Sequence, residues 1–365
     1  MRKYFMDNLR WLIILVLFPY HTLLIYSGIG SYYFNVANNI FANAFILTFA
    51  PWFMQLLFVI AGIATFYSLK KRNTNQYLRE RVSKLLVPMV AGMILVIPLS
   101  IYFGFLYSGY TGSFLSSWAN ILTNPANLGN GLMFGPLWFL LYLFIVSLLA
   151  LPFILKSGKR NFPIEKHTMP KLLLLVFPLA IGSYFFNIYP EKSVVEFFLL
   201  FVFGYFLLSD DGVQEKLEKY RWHLFIPFVV LTAIYVSITA GSIGSGESAV
   251  TTTAVSLSTI IAGFLIKIWT SLLLWVGVLS LMGMGKHYLE FKNKTTLYLS
   301  AVSFPIYIFH IVWINMFAYY LLSWIPDQMV VQVILIMLLS FVFTIATIEV
   351  VRRIPGIRTI FGMRG

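Results

Sequence analysis

The chain has 365 residues, of which 59% are hydrophobic and only 11% are charged, and its formal net charge is +13. Soluble domains carry about 25% charged residues, so this composition excludes a soluble globular protein of this size. Cysteine is absent, which excludes disulfides, thiolate nucleophiles and cysteine-ligated metal sites.

Apolar runs of about 20 residues recur along the whole chain, which is typical of a polytopic helical membrane protein. We therefore predict an all-α fold in which residues 1–365 form a single membrane domain. About ten transmembrane helices fit the hydropathy, at residues 9–28, 43–69, 85–106, 136–155, 172–189, 194–209, 223–240, 258–284, 296–323 and 329–351.

The basic residues predict the orientation of these spans. If both termini are cytoplasmic, all but two of the 26 Lys and Arg residues fall on the inner side. The exceptions are Lys192, in an outer connection, and Lys267, within the eighth span. This bias follows the positive-inside rule, so the excess charge indicates membrane orientation and not nucleic-acid binding.

The first span carries two ionisable residues on one helical face. Arg10 and His21 are eleven residues apart, which is about three turns and about 16 Å of helix. This spacing predicts an arginine at the cytoplasmic edge and a histidine near the middle of the bilayer, after a kink at Pro19. Ionisable groups at such depth are costly and indicate function. His21 is the candidate general base, although a histidine hydrogen-bonded between helices and a snorkelling arginine also fit.

The loop after the second span is strongly basic. Arg79, Arg81 and Lys84 lie within it and are spaced so that they could grip the phosphates of a cytosolic ligand. The positive-inside bias alone also explains them. Gln55, inside the second span, is a weaker polar candidate for a substrate pocket.

The connection before the fourth span contains apolar residues at helical spacing, at 114, 118, 121 and 122. This pattern predicts a short amphipathic helix lying on the outer leaflet. It would be either a membrane-seated lid or one wall of an acceptor site.

Two later spans carry further candidates. Lys267 is too deep in the eighth span to snorkel, so it should face a partner or a wet cavity. Glu196, near the outer end of the sixth span, is a weaker polar candidate. In the ninth span Tyr307 and His310 share a helical face, and His310 should lie at the depth of His21. A satisfied core histidine is the alternative interpretation. No cluster has metal-ligand spacing, so we expect no metal.

Four segments in register resemble the acyltransferase 3 family of integral membrane O-acyltransferases, and in particular its branch that succinylates periplasmic glucans. They are Arg10 with His21, the run from Phe58 to Gly62 leading to the loop with Arg79, Arg81 and Pro88, the run Pro136-Leu-Trp138, and the run from Phe304 to His310. The resemblance covers essentially the whole chain. Ala61 departs from it, because a serine is expected before Gly62.

The resemblance implies transfer of an acetyl or succinyl group from cytosolic acyl-CoA, a co-substrate and not a resident cofactor, to a hydroxyl of an extracytoplasmic glycan. Arg10, Arg79, Arg81 and Lys84 would hold the coenzyme phosphates, and Trp138 would join Gln55 and Lys267 in a substrate pocket. His21 would be the base, and Tyr307 or His310 would stabilise the oxyanion. The expected location is the bacterial cytoplasmic membrane.

Other functions stay open at this point. A glycan or lipid exporter could use His21 and Lys267 in a translocation path, although membrane-embedded acidic coupling residues and inverted repeats are lacking. A non-catalytic sensor would leave Arg10 and His21 replaceable. The sequence does not decide between direct transfer and an acyl-histidine intermediate. It also does not decide whether the protein forms a homodimer.

Overall fold

The secondary structure is almost entirely helical, as the hydropathy predicts. The computed structural model describes residues 3–29, 34, 36–124, 126, 134–157, 168–188, 192–244 and 257–363. Its helices are α1 (Tyr4–Leu24), α2 (Ile40–Phe49), α3 (Phe53–Leu69), α4 (Thr74–Arg81), α5 (Val87–Leu95), α6 (Ile97–Tyr107), α7 (Phe114–Thr123), α8 (Trp138–Ser157), α9 (Met169–Leu173), α10 (Val176–Gly182), α11 (Val194–Phe203), α12 (Asp211–Lys219), α13 (Arg221–Gly244), α14 (Leu257–Tyr288), α15 (Lys294–Trp324), α16 (Met329–Arg353) and α17 (Pro355–Ile360).

Short irregular elements join several of these helices. Single π-helical turns, Val82–Leu86 and Gly204–Leu208, continue α4 and α11, and a 3₁₀ turn, Gly135–Leu137, precedes α8. Two strands of two residues each, β1 (Asn187–Ile188) and β2 (Lys192–Ser193), pair antiparallel just before α11.

Seven described helical segments are long and apolar enough to cross a membrane, judged by length and composition. They are Ile40–Leu69, Thr74–Tyr107, Gly135–Ser157, Arg221–Ala240, Gly263–Tyr288, Lys294–Trp324 and Met329–Arg353. Two further apolar helical segments, Met169–Gly182 and Val194–Leu208, are shorter. Every predicted span falls on one of these segments or on α1, and the protein is an all-α polytopic membrane protein.

Prolines account for several differences from the predicted boundaries. The predicted second span is divided at Pro51 into α2 and α3, and the third is divided between α5 and α6, just before Pro98. Proline lacks the N–H that would bond to the carbonyl four residues earlier, which for Pro98 is that of Ile94. The Trp118 indole donates to that carbonyl at 2.8 Å instead. The predicted amphipathic helix is therefore confirmed as α7, and its tryptophan satisfies a carbonyl that the proline leaves free.

Other predicted boundaries are wrong by several residues. The predicted fifth span ends at 189, which lies outside the described residues, whereas its helix ends at Gly182. The chain then turns through Phe186, which has a φ of 53°, into β1. In contrast, α1 continues through Pro19 and α15 through Pro305 without ending.

The chain divides into two compact units that interleave along the sequence. Unit 1 contains residues 1–10, 47–79 and 142–293, and unit 2 contains residues 11–46, 80–141 and 294–365. The single domain over residues 1–365 stays a prediction.

In unit 1, α3 and α11 approach closely at two glycines. A Cβ atom at Gly62 would lie 2.1 Å from the carbonyl oxygen of Phe201, and one at Gly204 would lie 2.3 Å from that of Val59. Only glycine fits at such backbone contacts. One turn away, the rings of Phe58 and Phe197 stack with their centroids 4.2 Å apart.

In unit 2, α15 packs against α6 and α16, and buried polar pairs fix these contacts. The Asn315 amide donates to the Ser100 hydroxyl at 2.7 Å, and the Tyr26 hydroxyl donates to the Gln332 carbonyl oxygen at 2.8 Å. Buried polar groups are costly unless they are paired, so these bonds specify how the helices of unit 2 fit together.

Candidate active site

Two histidines meet in unit 2. The ring centroids of His21, on α1, and His310, on α15, lie 5.2 Å apart, and the two ring planes are inclined by 44°. Phe18, one turn before His21, packs its ring edge-on against His310 at 6.0 Å. The structure thus brings together the two histidines that the sequence singled out.

His310 is held in one tautomer by its own helix. Its Nδ1 lies 2.8 Å from the carbonyl oxygen of Tyr307 and 3.2 Å from that of Ile306. A carbonyl oxygen only accepts hydrogen bonds, so Nδ1 carries the proton, and in the neutral ring Nε2 carries a lone pair. His310 is fully buried, and its Nε2 has no hydrogen-bond partner among the described residues.

His21 is the more accessible member of the pair. Its side chain is partly exposed, whereas that of His310 has no exposed surface. The structure gives the His21 ring nitrogens no hydrogen bond within the part of the chain that it describes. Of the two imidazoles, therefore, only that of His21 has accessible surface.

Two further predicted segments meet beside this pair. The Tyr307 hydroxyl donates a hydrogen bond to the carbonyl oxygen of Pro136, and the Tyr307 ring packs edge-on against Phe139 at 5.8 Å. Trp138, half-buried at the start of α8, lies between these two contact points in the sequence. The run that ends at His310 therefore meets both His21 and the segment at 136–139 within unit 2.

The predicted phosphate-binding residues have acidic neighbours. The Arg10 guanidinium lies 3.5 Å from the Asp7 carboxylate one turn earlier in α1. Lys84, in the π-helical turn that follows α4, forms an ion pair with Glu80. Arg79 is exposed and Arg81 is half-buried.

Asn8 is a buried polar residue near Arg10 in the sequence, and the sequence reasoning missed it. Its amide donates to the carbonyl oxygens of Leu289 and Phe291 at 2.7 and 2.9 Å. It is buried within unit 1, two residues before Arg10. The only signal in the sequence is its position directly before the Leu9-Arg10 pair, and that pattern does not indicate a partner so distant in the chain.

The other predicted pocket residues lie apart from Trp138 in the sequence and belong to unit 1. Gln55 and Lys267 line one cavity there, together with Glu196 and Lys192. Lys192 was missed as a site residue, although its place in an outer connection made it an exception to the charge bias. Trp138 does not line this cavity.

The chain matches the acyltransferase domain of the acyltransferase 3 family over residues 3–349. That match covers nearly the whole chain. The chain belongs to the acyltransferase 3 family. The family is one of membrane acyltransferases, and the resemblance drawn from the four segments is confirmed.

Relatives point to one branch of the acyltransferase 3 family. Glucans biosynthesis protein C of Escherichia coli K12 is 28% identical over 191 residues, which are 50% of this chain and 47% of the relative. The protein of the same name from Escherichia coli O1:K1 is 29% identical over 192 residues, with the same coverage. The matched region thus spans about half the length of these relatives. No solved structure matches the chain.

Proposed function

We propose that the protein transfers an acyl group from cytosolic acyl-CoA to a hydroxyl of an extracytoplasmic glycan, with His21 as the general base. The observation that carries this proposal is the histidine pair, in which His310 is fully buried and His21 is partly exposed. Neutral imidazole is a suitable base at physiological pH, and a positioned base contributes about 10²–10⁴-fold to rate.

His310 would position His21. The Nε2 lone pair of His310 needs a donor, and the N–H of neutral His21 can supply it after a small rotation of the ring. That hydrogen bond would fix the His21 tautomer and leave its other nitrogen unprotonated toward the substrate. His21 would thus act as the base, and His310 would be the group that orients it.

The reaction balances through this nitrogen. His21 takes the proton of the acceptor hydroxyl while the hydroxyl oxygen attacks the thioester carbonyl. The new oxygen–carbon bond forms, the carbon–sulfur bond breaks, and the coenzyme thiolate receives the proton from His21. A two-step route through an acyl-histidine uses the same residue as nucleophile.

The geometry argues against the expectation that Tyr307 or His310 stabilises the oxyanion. The Tyr307 hydroxyl already donates to Pro136, and the Nδ1 proton of His310 is directed at backbone carbonyls. An oxyanion needs a donor whose hydrogen is available to it. We therefore assign Tyr307 to holding the 136–138 segment against α15.

The candidates for holding the coenzyme phosphates on the cytoplasmic side are Arg10 and Arg79 in unit 1 and Arg81 and Lys84 in unit 2. Arginine forks suit phosphate oxygens, and the π-helical turn at Val82–Leu86 adds support because such turns frequently mark functional sites. This arrangement assumes ten spans with both termini in the cytoplasm of a bacterial cell.

The acyl group is acetyl or succinyl, and the acceptor is a glycan of the cell envelope. The glycan acceptor is supported by the name of the relatives, Glucans biosynthesis protein C. Carbohydrate hydroxyls are weak acids, so a general base is needed at the point of attack.

The test compares wild type and His21→Ala in a strain that lacks the gene. Mass spectrometry of the envelope glycans should show acyl groups with wild type and none with His21→Ala. The purified protein should release free coenzyme A from acetyl-CoA or succinyl-CoA when a glycan is present. His223→Ala, which alters an exposed histidine of unit 1, is the control and should retain acylation. Glycan export by wild type without coenzyme A release would overturn the proposal in favour of a transporter.

A further inference from the structure

Unit 1 contains a polar cavity that the acyl-transfer proposal does not use. Its volume is about 280 Å³, and ten of its fourteen lining residues are polar. In a chain that is 59% hydrophobic, such a wall is unusual. Polar side chains within apolar helices are costly unless they face one another, water or a ligand.

The wall is assembled from separate parts of the unit. Gln55 lies in the first turn of α3, directly after the break at Pro51. Lys192 lies on β2, Glu196 lies in the first turn of α11, and Lys267 lies on α14. The pairing of β1 with β2 and the proline break thus help to bring four chemically active side chains to one cavity.

The charges of this wall favour a small anion. The lining residues that the structure describes include two lysines and one glutamate, which carry one positive charge in excess when all three are ionised. Lys267 and Glu196 both line the cavity. Lys267 and Glu196 nevertheless form no salt bridge among the described residues. Space for an anionic group therefore remains beside Lys267.

Gln55 indicates a second feature of the ligand. Its carbonyl oxygen Oε1 is buried and has no hydrogen-bond donor among the described residues. Leaving a buried acceptor unpaired costs free energy, and a donor from a ligand would recover it. A ligand hydroxyl supplies such a donor, whereas a carboxylate does not.

The size of the cavity limits the choice further. Small-molecule sites typically measure about 300–1,000 Å³, so this cavity fits one small metabolite and not a coenzyme. A phosphate dianion would bring two negative charges beside Glu196, more than the excess charge of the wall balances. A carboxylate brings one negative charge, which the excess positive charge of the wall balances.

We propose that this cavity binds a small hydroxyl-bearing carboxylate, about the size of a single sugar acid. Lys267 and Lys192 would hold the carboxylate, and Gln55 would accept a hydrogen bond from a hydroxyl. The proposal concerns unit 1 alone and does not depend on the acyl-transfer chemistry.

The first experiment needs no variant. Titration calorimetry on the purified full chain in detergent would compare glucuronate with glucose and glucose 6-phosphate. Glucuronate should bind saturably. Glucose, which has no negative charge, and glucose 6-phosphate, which has more negative charge than the wall balances, should each bind at least about tenfold more weakly. The absence of saturable glucuronate binding, or equal affinity for glucose, would overturn the proposal. Tighter binding of glucose 6-phosphate would overturn the carboxylate assignment.

Charge variants then locate the site. Lys267→Met should weaken glucuronate binding about tenfold, while Glu196→Gln, which removes the one negative charge, should tighten it. Lys171→Met removes an exposed lysine of the same unit and should change nothing. A purely structural polar cluster would instead lower the unfolding temperature in both cavity variants without these opposite shifts. Unchanged affinity in Glu196→Gln would overturn the placement even if Lys267→Met fails to fold.

Discussion

The histidine pair of unit 2 and the polar cavity of unit 1 use buried polar groups in opposite ways. His310 is surrounded by aromatic rings, its Nδ1 is satisfied by its own helix, and a single unpaired nitrogen is left. The cavity instead gathers charged and amide groups around empty space. One arrangement fixes the orientation of a reactive group, and the other leaves room for a solute.

The two regions also differ in how well they can be recognised from the sequence. The reactive pair lies within short segments, each of which carries a proline, an aromatic residue and a histidine together. The cavity residues come from separate stretches of the chain and form no motif. Orienting a base demands close neighbours in fixed positions, whereas a solute tolerates many wall compositions.

The largest effect should come from His21→Ala. Removing a general base should lower the rate of acyl transfer by about 10²–10⁴-fold, as measured by coenzyme A release from the purified protein. Glucuronate binding in unit 1 should stay unchanged, which would separate the two regions functionally. Loss of both properties in a well-folded variant would contradict the distinction between them.

His310 should give a smaller effect that depends on the replacement. His310→Phe removes the Nε2 acceptor, and misplacing His21 in this way should lower kcat about 100-fold. His310→Gln keeps an acceptor close to that position and should restore part of the rate.

The pH–rate profile separates positioning from a structural role. His310→Gln should retain the titration of His21, because the base itself is intact. If both replacements lowered kcat and the unfolding temperature equally, His310 would be a packing residue only.

Tyr307→Phe should affect stability more than catalysis. It removes the donor to the buried Pro136 carbonyl, which should cost about 1–3 kcal/mol of unfolding free energy. Acyl transfer should fall less than tenfold, since the hydroxyl hydrogen is already engaged. Tyr319→Phe, on the same helix, is the matched control for thermal unfolding. A 100-fold loss of rate in Tyr307→Phe would restore the oxyanion role.

The smallest effect should come from Glu218→Gln, at a surface ion cluster outside both regions. The hydrogen bond from His287, assisted by Lys286, holds the pKa of the Glu218 carboxyl below its usual value. A lowered carboxyl pKa stabilises the fold above the ordinary glutamate pKa, and the contribution is lost as the pH falls.

Thermal unfolding at several pH values would test this. The wild type should exceed Glu218→Gln by less than about 1 kcal/mol near neutral pH, with the difference closing in acid. A difference that grows as the pH falls would contradict the assignment.

The sequence predicted more of the fold than of the site. Each predicted span falls on a helix, because membrane hydropathy is a local signal that accumulates over about 20 residues. The break at Pro51 and the helix end at Gly182 were not predicted. Where a helix breaks depends on whether the backbone groups that it frees find new partners. Trp118, which satisfies the Ile94 carbonyl, shows such a partner arriving from another helix.

The sequence by itself determined that this is a helical membrane protein of the acyltransferase 3 family and that Arg10 and His21 belong to one helix. Both follow from hydropathy, helical period and motif, which are properties of neighbouring residues. Only the tertiary structure decided that His310 presents a lone pair beside His21 and that Gln55, Lys192, Glu196 and Lys267 share a cavity. Those relations join residues far apart in the chain, and they arise from how the helices pack.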